Sequence, residues 1–220
     1  STSASRSASL SGFEALIGGS AADTFAIEGT HTLAGSIDGG AGSGVDRLTY
    51  QNSSSPASIV LSGLGTVSGF AGSASAISSG FDNIDVLVGS SLSDSLTGAD
   101  QIATFELDGS DRYLSGGHEL AFSAFEKLYG GALADTFAIT APVTYDLFGA
   151  AGNDTFQFGL GGSLTGSIDG GVGSDWIDLS ATTAANIIRL TSLGTNDGFG
   201  GTVANLLSGG FDDIDGLRAS

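Results

Sequence analysis

The residues with the most capacity for chemistry are aspartates that close glycine-rich phrases. Gly170-Gly171-Val172-Gly173-Ser174-Asp175, Gly149-Ala150-Ala151-Gly152-Asn153-Asp154 and Gly39-Gly40-Ala41-Gly42-Ser43-Gly44-Val45-Asp46 each end a run of small residues on a carboxylate. Gly18-Gly19 with Asp23 and Gly130-Gly131 with Asp135 do the same without the third glycine. Asp135, Asp154 and Asp175 are separated by 19 and 21 residues. With one such phrase on each turn of a coil, these carboxylates stack along one edge. Calcium takes about six to eight oxygens, from carboxylates and backbone carbonyls, and two neighbouring Asp plus glycine carbonyls can supply them. Asp23, Asp46, Asp94, Asp135, Asp154 and Asp175 are therefore the candidate metal ligands, and calcium the candidate ion. The competing chemistry needs no ion: an Asp side chain accepts turn N–H groups, giving a ladder of caps. Bare carboxylates in register repel one another, which favours a cation.

Catalysis has weaker support. His31 and His118 do not occupy equivalent positions in the repeat described below, and each lies in a polar context. Lys127 stands where the first copy has Ala15, and Arg47, Arg112 and Arg189 are scattered. The pairs Asp82/Asp85 and Asp212/Asp215 recur between copies, whereas a glycosidase carboxylate pair occurs once, so they read as turns. The expectation is a protein that is not an enzyme. The rival is a β-helix that acts on polysaccharide or binds carbohydrate or ice, for which Thr24, Thr136 and Thr155 would form an outward threonine row.

The elements that must position these aspartates follow from composition. The chain has 37 Gly in 220 residues, against ~7% in typical proteins. With 40% hydrophobic residues it is not a disordered chain, and abundant glycine suits frequent tight turns. Nineteen Asp and five Glu against five Arg and one Lys give a formal charge of −18. No basic surface can follow a phosphate backbone, so neither nucleic acid nor an anionic membrane is an expected partner. There is no Cys, and no stretch approaches the ~18 apolar residues of a membrane span.

Two copies of one module are visible. Phe13-Glu14-Ala15-Leu16-Ile17-Gly18-Gly19 returns as Phe125-Glu126-Lys127-Leu128-Tyr129-Gly130-Gly131, and Ala22-Asp23-Thr24-Phe25-Ala26-Ile27 as Ala134-Asp135-Thr136-Phe137-Ala138-Ile139, both at an offset of 112. Gly35-Ser36-Ile37-Asp38-Gly39-Gly40 returns at an offset of 131 as Gly166-Ser167-Ile168-Asp169-Gly170-Gly171, and Phe81-Asp82-Asn83-Ile84-Asp85 at 130 as Phe211-Asp212-Asp213-Ile214-Asp215. The second copy has thus gained 19 residues near 140–166, about one turn of a coil. Spacings of 24 (Phe13 to Ile37), 47 (Ile37 to Ile84), 41 (Ile84 to Phe125) and 43 (Phe125 to Ile168) read as one or two turns each. Alternating runs such as Thr24–Ile27, Ala103–Leu107 and Thr155–Phe158 are bounded by Gly, Ser or Asp. The expected fold is all-β: a right-handed parallel β-solenoid of roughly 20–24 residues per turn, continuous over 1–220. Module 1 spans 13–124, and an incomplete module 2 spans 125–220. Phe13, Phe25, Phe125, Phe137, Phe148 and Phe156 are the expected interior stack.

The glycine–aspartate phrases, with Phe-Glu-x-Leu-x-Gly-Gly and Ser-Ile-Asp-Gly-Gly, resemble giant bacterial repeat exoproteins of the filamentous-haemagglutinin-like and RTX-like kinds. The resemblance implies secretion, a cell-surface or matrix location, and a role in adhesion or spacing. It departs from the RTX pattern G-G-x-G-x-D-x-U-x in that the motifs recur about 20 residues apart and not in tandem. A repeat rod needs polar caps or neighbours at its ends. The expected partners are accordingly further repeat units, by end-to-end continuation or self-association, and a cell-surface or polysaccharide ligand.

Overall fold

A computed structural model describes residues 13–183 and 185–219. Leu10-Ser11-Gly12, matched in sequence to Phe122-Ser123-Ala124, lies outside the described residues. Those residues are all β, with no helix, hence none long and apolar enough to cross a membrane. Two open sheets of twelve and ten strands carry the structure, with two small two-stranded parallel sheets beside them.

Glycine and aspartate set the short strands and frequent turns, and alternation sets which residues point inward. Leu16, Ile37, Leu96, Leu128, Leu147 and Ile168 occupy equivalent positions in the larger sheet, and Phe25, Leu48, Leu87, Phe137, Phe156 and Ile177 in the smaller. The core lies between the sheets: the rings of Phe70, from the larger, and Tyr113, from the smaller, meet edge-on at 5.4 Å. Along the smaller sheet Phe105, Phe137 and Phe156 stack in register, with centroids 4.8 and 5.0 Å apart and rings within 9° of parallel. All three are fully buried. Phe137→Ala removes the middle ring, and is expected to cost about 3–5 kcal/mol by denaturant unfolding. Phe148 differs from the interior expectation. Leu147 points inward, so Phe148 points out and stacks on Tyr129 at 4.4 Å. Phe13 is likewise 42% exposed.

Parallel neighbours are one circuit apart in sequence. Ala15 pairs Ser36, Thr24 pairs Arg47, Thr155 pairs Trp176 and Leu147 pairs Ile168. The 19 residues gained by the second copy make one circuit: Lys127 pairs Asp146, and Thr136 pairs Thr155.

The spacing from Phe125 to Ile168 is two such circuits, but those from Ile37 to Ile84 and from Ile84 to Phe125 have a different cause from the one the sequence suggests. Ile37 pairs directly with Phe81, so the chain between them does not complete two parallel turns. It folds instead as an antiparallel meander of Ser58–Leu64, Phe70–Ala74 and Ile77–Ile84. A second meander, Ala103–Leu107, Arg112–Ser115 and His118–Ser123, lies in the smaller sheet. A third, Ile188–Leu193, Phe199–Val203 and Phe211–Ile214, ends the larger one. Antiparallel strands need only a tight turn, whereas a parallel pair needs a long crossover, so a hairpin wins wherever the chain offers a short Gly-bounded turn. Each meander keeps the lateral stacking but reverses strand direction. The sheets are therefore of mixed orientation.

Candidate metal centre

All six candidate aspartates sit at the end of a turn that begins with glycine, and the carboxylate folds back over that glycine. A methyl group added at Gly18, Gly39, Gly89, Gly130, Gly149 or Gly170 would lie within 2.9 Å of the Oδ2 of Asp23, Asp46, Asp94, Asp135, Asp154 or Asp175 respectively. The glycine is required because a backbone carbonyl oxygen of the neighbouring circuit and the carboxylate together fill its side-chain space.

Five of the six line one edge, where the chain passes from the larger to the smaller sheet. Asp23 N–H donates to Asp46 Oδ1 (2.8 Å), and Asp46 N–H to Asp85 Oδ2 (2.8 Å). Past the meanders the ladder resumes. Ala103 N–H donates to Asp135 Oδ1 (3.0 Å), Asp135 N–H to Asp154 Oδ1 (2.7 Å), Asp154 N–H to Asp175 Oδ1 (2.8 Å) and Asp175 N–H to Asp215 Oδ2 (2.8 Å). Asp94 is on the opposite edge, where it accepts Ala57 N–H (2.5 Å) and donates its own N–H to Glu126 Oε2 (2.8 Å).

The second carboxylate oxygen separates five of the six into two kinds. In Asp23 and Asp135 it accepts the N–H of Gly19 and Gly131, each at 2.6 Å, and in Asp94 that of Ser90. Asp94 and Asp135 thereby have both oxygens held by backbone N–H groups. In Asp154 and Asp175 the Oδ2 atoms are buried with no hydrogen-bond partner. There the residue after the first glycine is left-handed (Ala150 φ 75°, Gly171 φ 91°). Asp154 and Asp175 are 0% exposed. Burial, reinforced by the neighbouring carboxylates, pushes Asp154 up to about 7 and Asp175 to about 6. Burial together with Asp100 pushes Asp135 to about 6. Asp46 is also raised, first by burial and then by Asp85 and Asp23.

One place on this edge gathers carboxylates from three chain segments. Asp175 closes the Gly170 turn, Asp197 lies in the Gly194–Gly198 hairpin of the third meander, and Asp215 joins Ile214 to Gly216. Each offers a ligand atom within 4.8 Å of the others, twice a calcium–oxygen bond of ~2.4 Å. Asp197 Oδ1, like Asp175 Oδ2, is buried without a partner. An all-carboxylate set with no His or Cys suits a hard cation of the calcium or magnesium kind, not zinc. Of this trio the sequence reading placed only Asp175 among the ligands. Asp197 was not singled out, and Asp215 read as a structural turn.

The other candidate chemistries are dispersed. His31 Nδ1 bonds the Glu28 carbonyl at 2.7 Å, and His118 packs edge-on to Phe70 at 6.5 Å. Thr104, Thr136 and Thr155 are in register, but Trp176 ends that row and Thr24 sits beside Arg47 in a separate part of the sheet. The threonine face is therefore short and mixed. No protein-family model matches the chain, and no curated protein matches it.

Proposed function

We propose that this chain is a structural or adhesive segment of a large secreted cell-surface or matrix protein, a right-handed β-solenoid that works in series with further repeat units and is not an enzyme. The observation that carries this reading is an uncovered apolar face. In the first meander Ile59, Leu61 and Phe70 are 0%, 3% and 0% exposed, and Tyr113 and His118 of the second meander pack on Phe70. The first hairpin of the third meander repeats that of the first residue for residue. Ile188 pairs Val203 and Leu190 pairs Gly201, as Ile59 pairs Ala74 and Leu61 pairs Gly72, and the bulge falls at the same point. Yet Leu190 is 55% and Phe199 42% exposed, since the smaller sheet ends at Gly216–Arg218, two strands short of the larger.

Head-to-tail stacking of a second copy would continue the larger sheet but leave that two-strand gap open. A unit of the Ser95–Ser123 kind, carrying a strand and a meander, fills it. This favours continuation by repeat units over self-association of the present one. The −18 charge supports solubility and limits lateral sticking between such rods.

The test is a chain in which residues 89–124 are repeated after Arg218, because Val86–Val88 holds in the first copy the place that Gly216–Arg218 holds in the second. Slowed amide exchange over Ile188–Val203 and reduced binding of a hydrophobic dye are the expected results. An added segment that exchanges freely and leaves Phe199 exposed would sink the proposal.

A further inference from the structure

We propose that the second copy holds a divalent-cation site, of the calcium class, that the first copy lacks at the same turn. The two copies act as each other's control. Asp46 and Asp85 correspond to Asp175 and Asp215, and each pair makes the same ladder bond at 2.8 Å. Thr66 and Thr195 likewise both bond the carboxylate that follows Phe81 or Phe211, at 2.7 and 2.5 Å. The hairpin turns correspond as Gly65-Thr66-Val67-Ser68-Gly69 and Gly194-Thr195-Asn196-Asp197-Gly198. Two of the differences add charge: Ser68 has become Asp197, and Asn83 has become Asp213.

Both changes leave carboxylate oxygens without donors. In the first copy the Asn83 amide donates to Asp38 Oδ1 at 2.7 Å, and its oxygen accepts the N–H groups of Val67 and Ser68. In the second, Asp213 still accepts from Asn196 and Asp197 but has no proton to give Asp169, whose Oδ1 is buried and unpartnered. Asp197 brings a further carboxylate to Asp175 and Asp215, and the fully buried Asp175 already has Oδ2 unpaired. The second turn thus gathers six carboxylates (Asp169, Asp175, Asp197, Asp212, Asp213 and Asp215), where the first has four (Asp38, Asp46, Asp82 and Asp85). None of the three ion pairs among the described residues involves any of the six. Three carboxylates within 4.8 Å of one another, two of them with a buried oxygen left unpaired and none with a cationic partner, are a donor set a calcium ion satisfies. This inference deepens the carboxylate cluster described above and is independent of how the rod continues.

Trp176, the single tryptophan, follows Asp175 directly and serves as the reporter. Terbium added to the chain is expected to emit on excitation of Trp176, and calcium to compete. The double variant Asp197→Ser with Asp213→Asn installs the first copy's residues, which that turn already accommodates. It is expected to bind calcium at least tenfold more weakly and to lose the calcium-dependent rise in unfolding midpoint, with unchanged circular dichroism in chelator. Absence of emission from the parent chain overturns the site, and so does equal calcium affinity in parent and variant. Neither result bears on the added-segment experiment, which reads protection of the apolar face.

Discussion

Raising the pH from 4.5 to 8.5 in chelator is expected to lower the unfolding midpoint by about 10–20 °C, the reverse of ordinary acid denaturation. The cause is the carboxylate ladder. In the unfolded chain these carboxyls titrate near ~3.9; in the fold Asp135 and Asp175 titrate near 6 and Asp154 near 7, chiefly through burial. A folded-state pKa raised in this way gives stability that is fully present below pH ~4 and is lost as the pH rises through 6 to 7. The groups facing the ladder reinforce the direction: Asp100 beside Asp135, Asp135 and Asp175 beside Asp154, and Asp215, Asp197 and Asp213 beside Asp175. Backbone N–H groups oppose it only in part. Because the three carboxyls repel one another, their contributions do not add in full. A combined loss of about 5 kcal/mol, at ~2–4 °C per kcal/mol for a chain of this size, gives the stated shift.

Asp178 acts in the opposite sense. Despite its burial, the bonds from Ser180 and Arg218 hold it below the usual range, so it weakens the fold only at more acidic pH. Asp154→Asn keeps an acceptor for the Asp135 N–H and removes the charge, and is expected to flatten the profile. High salt screens the surface charge but leaves the buried ladder intact, which separates the two sources of repulsion. A midpoint that rises from pH 4.5 to 8.5, or an Asp154→Asn profile parallel to the parent's, would contradict the role given to the ladder.

Gly149→Ala is expected to cost at least ~3 kcal/mol, or to prevent folding. The added methyl meets the Gly170 carbonyl oxygen on the next circuit and Asp154 Oδ2, both well inside contact distance. Gly149 N–H also bonds Asp169 O at 2.8 Å, so the glycine cannot withdraw without breaking a rung. Neither neighbour is the free end of a flexible side chain, and crowding of this kind costs ~1–3 kcal/mol or more even where some relaxation is available. Gly117→Ala supplies the contrast. Its φ is 80°, but nothing lies within 4 Å, so it bears left-handed strain alone, about 1–2 kcal/mol. Urea unfolding of the two variants measures the difference. Equal losses would mean that backbone strain, and not the filled turn, is what these glycines relieve.

The ladder was partly legible beforehand. Glycine followed at a fixed interval by aspartate marks a turn whose inside is filled by a carboxylate, and that signal is local. It does not say which way the chain is crossing. Gly89 with Asp94 carries the same mark as Gly130 with Asp135, yet Asp94 lies on the opposite edge, because its turn runs from the smaller sheet back to the larger. Asp197 was hidden for another reason: it belongs to a hairpin, and hairpin and coil share the same two-residue alternation. The available clue was the comparison of Ser68 with Asp197 and of Asn83 with Asp213, since a carboxylate gained at a turn already rich in carboxylates has to be balanced.

The sequence by itself determined an all-β chain with two copies of one module, and a length change equal to one circuit. These follow from period-two alternation, turn chemistry and self-similarity, all written in residue types. The tertiary structure alone decided which strands are neighbours, that Ile37 sits beside Phe81 with an antiparallel meander between them, and that Asp175, Asp197 and Asp215 converge. Alternation specifies which face of a strand is buried but not the direction or identity of the strand alongside it. Strand pairing is set by competition between short turns and long crossovers over the whole chain, and it is pairing that brings carboxylates 22 and 40 residues from Asp175 to one point.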